Sequence, residues 1–154
     1  MIRVLFVCHG NICRSPMAEF VLRDMVNKQG MGDHFEIASA ATSSEEVGNP
    51  PHRGTQARLR KLGINTAGKY AVRLTRDDYD KYDYLIGMDQ WNIKNMHHIC
   101  GGDPDAKIQL LLSFAGRSGN IADPWYTGDF EQTYVDVLEG CEGLLEHINS
   151  GGRL

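Results

Sequence analysis

The 154-residue sequence lacks a long apolar run, an internal repeat, a low-complexity tract and a Pro- or Ser-rich linker. No stretch approaches the roughly 20 apolar residues needed to cross a bilayer. The N-terminal run "VLFV" is shorter than a secretory signal core, and no small-residue cleavage site follows it. With no break in composition, residues 1–154 read as one domain. Basic charge is also in short supply: 16 Lys and Arg face 20 Asp and Glu, for a formal net charge of −4. A general nucleic-acid binder needs a basic face, which this balance does not supply; a local pocket for an anion remains open. Only four cysteines occur, Cys8, Cys13, Cys100 and Cys141. Their uneven scatter is unlike a disulfide framework, so reduced thiols, a cytoplasmic location and no membrane association are expected. The "MHHIC" stretch at 96–100 lacks the partner pair that a zinc site requires, so its histidines read as surface or helix-end residues and no metal is expected.

What is present is an alternation of strands and helices. Residues 2–7 are nearly all apolar and rich in β-branched side chains, as a strand buried on both faces must be. Ser15 offers an N-cap oxygen and Pro16 suits a first helical position; Met17, Phe20, Val21 and Met25 continue at helical spacing. Further strands are predicted over 35–40, 83–88 and 107–114. Helices are predicted around Thr55–Leu59–Leu62 and from near Asp89, and a closing amphipathic one begins at Phe130. The turn-rich segment 116–129 reads as a long loop. This pattern predicts an α/β fold: an open, mostly parallel, four-stranded twisted sheet of Rossmann type with helices on both faces. Ligands bind such sheets at the carboxyl ends of the strands.

Cys8 falls at one such end and Arg14 at the start of the next helix, within "VCHGNICRSPMAE". A tight strand-to-helix turn can aim successive N–H groups into one concavity that suits a tetrahedral oxyanion. Gly10 allows close approach, and the planar Arg14 fork can bind two anion oxygens. The same field favours the thiolate of Cys8, which makes it a candidate nucleophile, and the Ser15 hydroxyl can donate to its sulfur. A second constellation is "DPWY", residues 123–126. Expelling an alkoxide or phenolate from phosphorus calls for a carboxylic acid opposite the nucleophile, and Asp123, held extended by Pro124, fits. Trp125 and Tyr126 supply an apolar wall for an aromatic leaving group.

The Cys-x5-Arg-Ser stretch, the later Asp-Pro, and the segments "SAAT" (39–42), "VGNPP" (47–51) and "DYLIGMD" (83–89) resemble the low-molecular-weight protein tyrosine phosphatases along essentially the whole chain. The resemblance implies phosphotyrosine hydrolysis through a cysteinyl phosphate. In that reaction Cys8 is the nucleophile, Arg14 holds the phosphate, and Asp123 acts first as acid and then as base. It implies no cofactor or metal, tyrosine-phosphorylated proteins as partners, phosphate or a similar oxyanion at the site, and a monomer or weak self-association. His9, Gly10, Asn11, Ile12, Cys13 and Arg14 would form the phosphate loop, with Asn11 shaping its backbone partly through Ser39. Cys13 would trap oxidised Cys8 as a disulfide.

Several positions depart from the family pattern. His9 stands where many members carry leucine, and Ala41 replaces the glycine of many bacterial members. Glu45 and Glu46 occupy a variable loop that often carries an aromatic residue against the substrate ring, and they favour basic over acidic flanks around the phosphotyrosine. Lys69 takes the place of a loop-supporting histidine and implies a rewired network. Ile12 favours phosphotyrosine over phosphoarginine, since the related protein arginine phosphatases tend to carry threonine there. The related arsenate reductases add two closely spaced downstream cysteines, whereas Cys100 and Cys141 are far apart. The alternative from a different class is a phosphoprotein-recognition module without turnover, which would need neither a thiolate nor a mobile acid.

Overall fold

The computed structural model describes residues 1–151. Strand β1 (Ile2–Cys8) is buried continuously from Val4 onward. Its side chains alternate between two cores, Val4, Phe6 and Cys8 facing one and Leu5 and Val7 the other. Two apolar faces on one strand leave no position for a polar residue, hence the unbroken run.

Around β1 the sheet is wholly parallel, in the order β2-β1-β3-β4, with β2 at Phe35–Ala41, β3 at Tyr84–Gly87 and β4 at Ile108–Leu110. Helices α1 (Arg14–Lys28) and α6 (Phe130–Asn149) cover one face, joined by Leu59 of α2 (Arg53–Arg60). Tyr79 of α3 (Arg76–Lys81) and Met96 and Cys100 of α4 (Gln90–Cys100) pack on the other. The chain leaves β1 to one side for β2 and returns on the other side as β3. The loops that follow β1 and β3 therefore diverge and open a crevice at the carboxyl edge.

Local readings change in four places. Ser15 does not cap α1: the helix starts at Arg14, two residues before Pro16, Cys13 takes the cap position without a side-chain bond, and the Ser15 hydroxyl meets the Cys8 sulfur, its other expected role. The strand expected over 107–114 ends at Leu110 and passes into a 3-10 turn, Leu111–Ala115. That turn presses on α6, where the Phe114 carbonyl oxygen lies 2.1 Å from where a Cβ on Gly143 would sit. A continued strand could not bury Leu111 and Leu112 against the same helix. The loop over 116–129 contains a single helical turn, α5 (Pro124–Thr127), and a short helix, α3, stands where the sequence reading has none. Among the described residues no helix is long and apolar enough to cross a membrane.

Cys141 lies at the centre of the α6 stripe, fully buried, and burial pushes its thiol well above the ordinary value of 9.0. The unfolded chain releases this proton near the ordinary value while the folded chain keeps it. Cys141 therefore contributes its full stability below that pH, and the contribution falls as pH rises above it. At neutral pH the native protein should be more stable than Cys141→Ala by on the order of 1 kcal/mol. Denaturant unfolding across the alkaline range should show this gap narrowing above pH 9.0; a gap that stays constant would contradict the assignment.

Candidate active site

Cys8 ends β1 with 3% of its surface exposed, and its sulfur lies 3.0 Å from the Ser15 hydroxyl oxygen. Asn11 Nδ2 donates to that same oxygen at 2.8 Å, which leaves the Ser15 proton free for the sulfur. Asn11 itself has φ +58°, in the left-handed region that non-glycine residues rarely enter. Its side chain is fully used: Nδ2 also donates to Ser39 Oγ at 2.8 Å, and Oδ1 accepts from the backbone N–H of Val72 at 3.1 Å.

This network continues inward. Ser39 Oγ donates to Glu19 Oε1, a carboxylate 5% exposed that also meets Arg23 Nη2 at 2.6 Å and Lys69 Nζ at 3.2 Å. Lys69 Nζ further donates to the Ser39 carbonyl at 3.0 Å. The departure at Lys69 thus takes a definite form: a cation neutralises the buried Glu19 while gripping the backbone of β2. With the loop held this way, the N–H groups of residues 9–14 donate to no acceptor among the described residues, so they are available to an incoming anion.

Arg14 is almost fully buried, 2% exposed, and a buried charge must be paired. Its Nη1 donates to Asp89 Oδ2 at 2.6 Å and to the Ile121 carbonyl at 3.0 Å. Asp89 follows β3 and caps α4, accepting from Asn92 N at 2.8 Å, so Arg14 ties together both sides of the crevice. Burial alone would lower the Arg14 pKa, but Cys8, Asp89 and Asp123 outweigh it and hold the cation more firmly than usual. On its other edge, among the described residues, Nε has no hydrogen-bond partner and Nη2 makes a single 3.4 Å contact, to Asp123 Oδ2. Nε and Nη2 form the fork that can take two oxygens of one tetrahedral anion.

Asp123 caps α5, its Oδ1 accepting from Trp125 N at 3.0 Å. The cleft between the two loops encloses about 370 Å³ and is lined by Cys8, His9, Gly10, Ile12, Cys13, Arg14, Glu45, Glu46, Asp123, Trp125 and Tyr126. At its mouth, His9 Nε2 meets Glu45 Oε2 at 3.0 Å, and Trp125 and Tyr126 stand largely exposed. Asn11, Ser15 and Ser39 lie beneath, fully buried. Burial, with the charges on Cys8 and Asp123 adding to it, pushes the Cys13 thiol up to about 12, so it stays protonated at neutral pH.

The residues that the sequence assigns to the phosphate loop, the acid loop and the pocket wall gather at this one edge of the sheet, whereas Cys100 and Cys141 lie in the two cores. Sequence reasoning missed Asp89 and Glu19 as partners. In the sequence Asp89 marks only the start of a helix, and an acid among the apolar residues of α1 is the available sign of Glu19. His97 and His98 close the last turn of α4, away from the cleft.

The family model for low molecular weight phosphotyrosine protein phosphatase matches residues 3–153. The chain is 42% identical over 156 residues to the low molecular weight protein-tyrosine-phosphatase YfkJ of Bacillus subtilis, covering 100% of both. The crystal structure of YfkJ matches this one with a TM-score of 0.95, over 98% of this chain and 96% of that chain. The low molecular weight protein tyrosine phosphatase SP-PTP of Streptococcus pyogenes is 45% identical, with a TM-score of 0.86 over 96% of this chain and 93% of that chain. A drosophila arginine phosphatase, DARP, is 35% identical, with a TM-score of 0.88 over 96% and 98%. Sequence and architecture agree from end to end of these matches, and the chain belongs to the low molecular weight phosphotyrosine protein phosphatase family.

Proposed function

We infer that the chain acts as its family does, as a protein-tyrosine phosphatase, and that Cys8, Arg14 and Asp123 perform the chemistry. The observation that carries this reading is the Nε–Nη2 edge of Arg14: a buried, permanently charged fork whose remaining nitrogen is already committed to Asp89 and Ile121. Phosphate oxygens bind that edge and the loop amides, displacing the loose Asp123 contact and freeing its carboxyl group to face the leaving oxygen. The Cys8 thiolate attacks phosphorus, the P–O bond to the phenol breaks, and the Asp123 proton goes to the departing oxygen. Asp123 then takes a proton from water as the water attacks phosphorus, the S–P bond breaks, and phosphate leaves. Ser15 donates to the sulfur as it departs, and Arg14 and the amides stabilise the charge on phosphorus throughout.

The phosphate loop in this reading runs through His9, Gly10, Asn11, Ile12, Cys13 and Arg14, with Ser39 in support. Ile12 gives the pocket an apolar wall, which supports a phenyl ring over the guanidine of a phosphoarginine substrate. Cys100 and Cys141 belong to separate cores, which weighs against a disulfide relay of the arsenate-reductase kind. His9, Glu45, Trp125 and Tyr126 meet residues flanking the phosphotyrosine, and the two glutamates favour basic neighbours there. When peroxide oxidises Cys8 to a sulfenic acid, attack by the Cys13 sulfur releases water and leaves a reversible disulfide. A monomer or weak self-associator acting on tyrosine-phosphorylated proteins in the cytoplasm is consistent with these features.

Cys8→Ser should abolish hydrolysis of aryl phosphates in the presence of a chelator; surviving turnover would remove Cys8 as nucleophile. For Asp123→Ala, kcat/KM on phenyl phosphate should fall by roughly 10²- to 10⁴-fold, and by least for the most acidic phenols. Phosphotyrosyl peptides with basic flanks should be cleaved faster than acidic ones, and the opposite order would contradict the role of Glu45 and Glu46. Lys69→Met leaves buried Glu19 short of a cation and loosens Ser39. Competitive inhibition by phosphate should then weaken together with a roughly 10- to 100-fold loss of kcat/KM, whereas unchanged phosphate affinity would contradict the support role.

A further inference from the structure

The two loops that the reaction uses are joined by an aromatic bridge centred on His52. This residue precedes α2, and its backbone N–H donates to the Ile12 carbonyl of the phosphate loop at 2.7 Å. Its Nδ1 accepts from Gly54 N at 3.0 Å, which caps the helix and fixes the ring. The imidazole stacks on Phe130, with centroids 5.0 Å apart and planes inclined 22°. It also meets Trp125 edge-on at 5.8 Å and 84°. Phe130 opens α6 and packs against the cluster of Ile12, Cys13 and Ala71. Trp125 leads back to the chemistry, since its backbone N–H donates to Asp123 Oδ1. A Cβ on residue 54 would sit 2.4 Å from the Phe130 ring, so the close packing of Phe130 on this turn depends on Gly54.

A turn of four residues cannot hold itself in place, because one helical turn forms too few bonds to offset its own ordering. The placement of α5 must therefore come from tertiary contacts, and its Trp125 is more than half exposed. We propose that His52 is a positioning residue for the phosphatase reaction: anchored to the phosphate loop through Ile12, its ring sets where Trp125, and hence the Asp123 carboxyl group, stands over Cys8. The proposal rests on Asp123 being the general acid.

Two substitutions separate the ring from the cap. His52→Asn keeps an acceptor for Gly54 N but loses the aromatic surface, and His52→Phe keeps the ring but loses the acceptor. The measurement is kcat/KM over a series of aryl phosphates of graded phenol acidity, with Asp123→Ala in parallel and with phosphate inhibition and denaturant unfolding for each variant. For His52→Asn, kcat/KM on phenyl phosphate should fall about tenfold, against less than about twofold for the most acidic phenol, with phosphate inhibition unchanged. His52→Phe should stay within about threefold of the native enzyme across the series. Loss of equal size on every substrate, no loss at all, or equal damage from both variants would overturn the proposal. If Asp123→Ala shows the graded loss and His52→Asn does not, His52 alone fails; if Asp123→Ala loses equally on every substrate, the acid assignment fails first.

Discussion

Asn11 is held at φ +58° by three hydrogen bonds from its own side chain, and the site is built on that constraint. Asparagine enters the left-handed region more readily than other non-glycine residues, and the three bonds fix Asn11 there. In this loop the amides of residues 9–14 donate to no acceptor among the described residues, and the Cys8 sulfur stands at its start. The restraints come from separate parts of the chain: Ser15 from α1, Ser39 from β2, and Val72 from the segment that runs beside the end of β2. Loop geometry is therefore a product of the sheet order, because β2 can brace the turn only by lying next to β1.

The second dependency is charge balance beneath the cleft. Arg14 and Glu19 are both nearly buried, and neither could be tolerated alone. Arg14 is satisfied from the β3 side by Asp89, Glu19 from the β2 side by Lys69 and Arg23. The two clusters flank β1, where the crevice opens. A permanent cation sits where the anion binds, and the Glu19 carboxylate that braces the loop from below is itself neutralised. Burial acts on three of the thiols in the same direction: Cys13, Cys100 and Cys141 are all pushed toward the protonated form, mainly by desolvation.

The chemistry was legible because most of it is local in sequence. Cys8, Gly10, Arg14 and Ser15 lie within eight residues, and the unbroken run before them marks a central strand. The long amphipathic pattern of α6 and the alternation of elements were readable for the same reason, being matters of short-range periodicity. What was not legible depends on distant partners. Arg14 and Asp89 are 75 residues apart, so a helix start near Asp89 gives no sign that its second oxygen meets the guanidinium. Of the two roles the sequence offers Ser15, a cap on the helix and a donor to the Cys8 sulfur, the structure shows the contact with the sulfur, and Asn11 donates to the same hydroxyl oxygen. Three leucines in a row suit a strand or a tight turn equally well, and the approach of α6 decides for the turn. His52 gave no signal in sequence, because its role lies in which rings surround it.

The central claim is that one loop both binds the phosphate and attacks it. Rapid acid quench of the enzyme turning over a phosphorus-labelled aryl phosphate, followed by peptide mapping, tests this most directly. The account predicts label on the peptide carrying Cys8, bound as a thiophosphate ester and absent in Cys8→Ser. Label on any other residue, or steady turnover with no trapped phosphoprotein at any quench time, would contradict it.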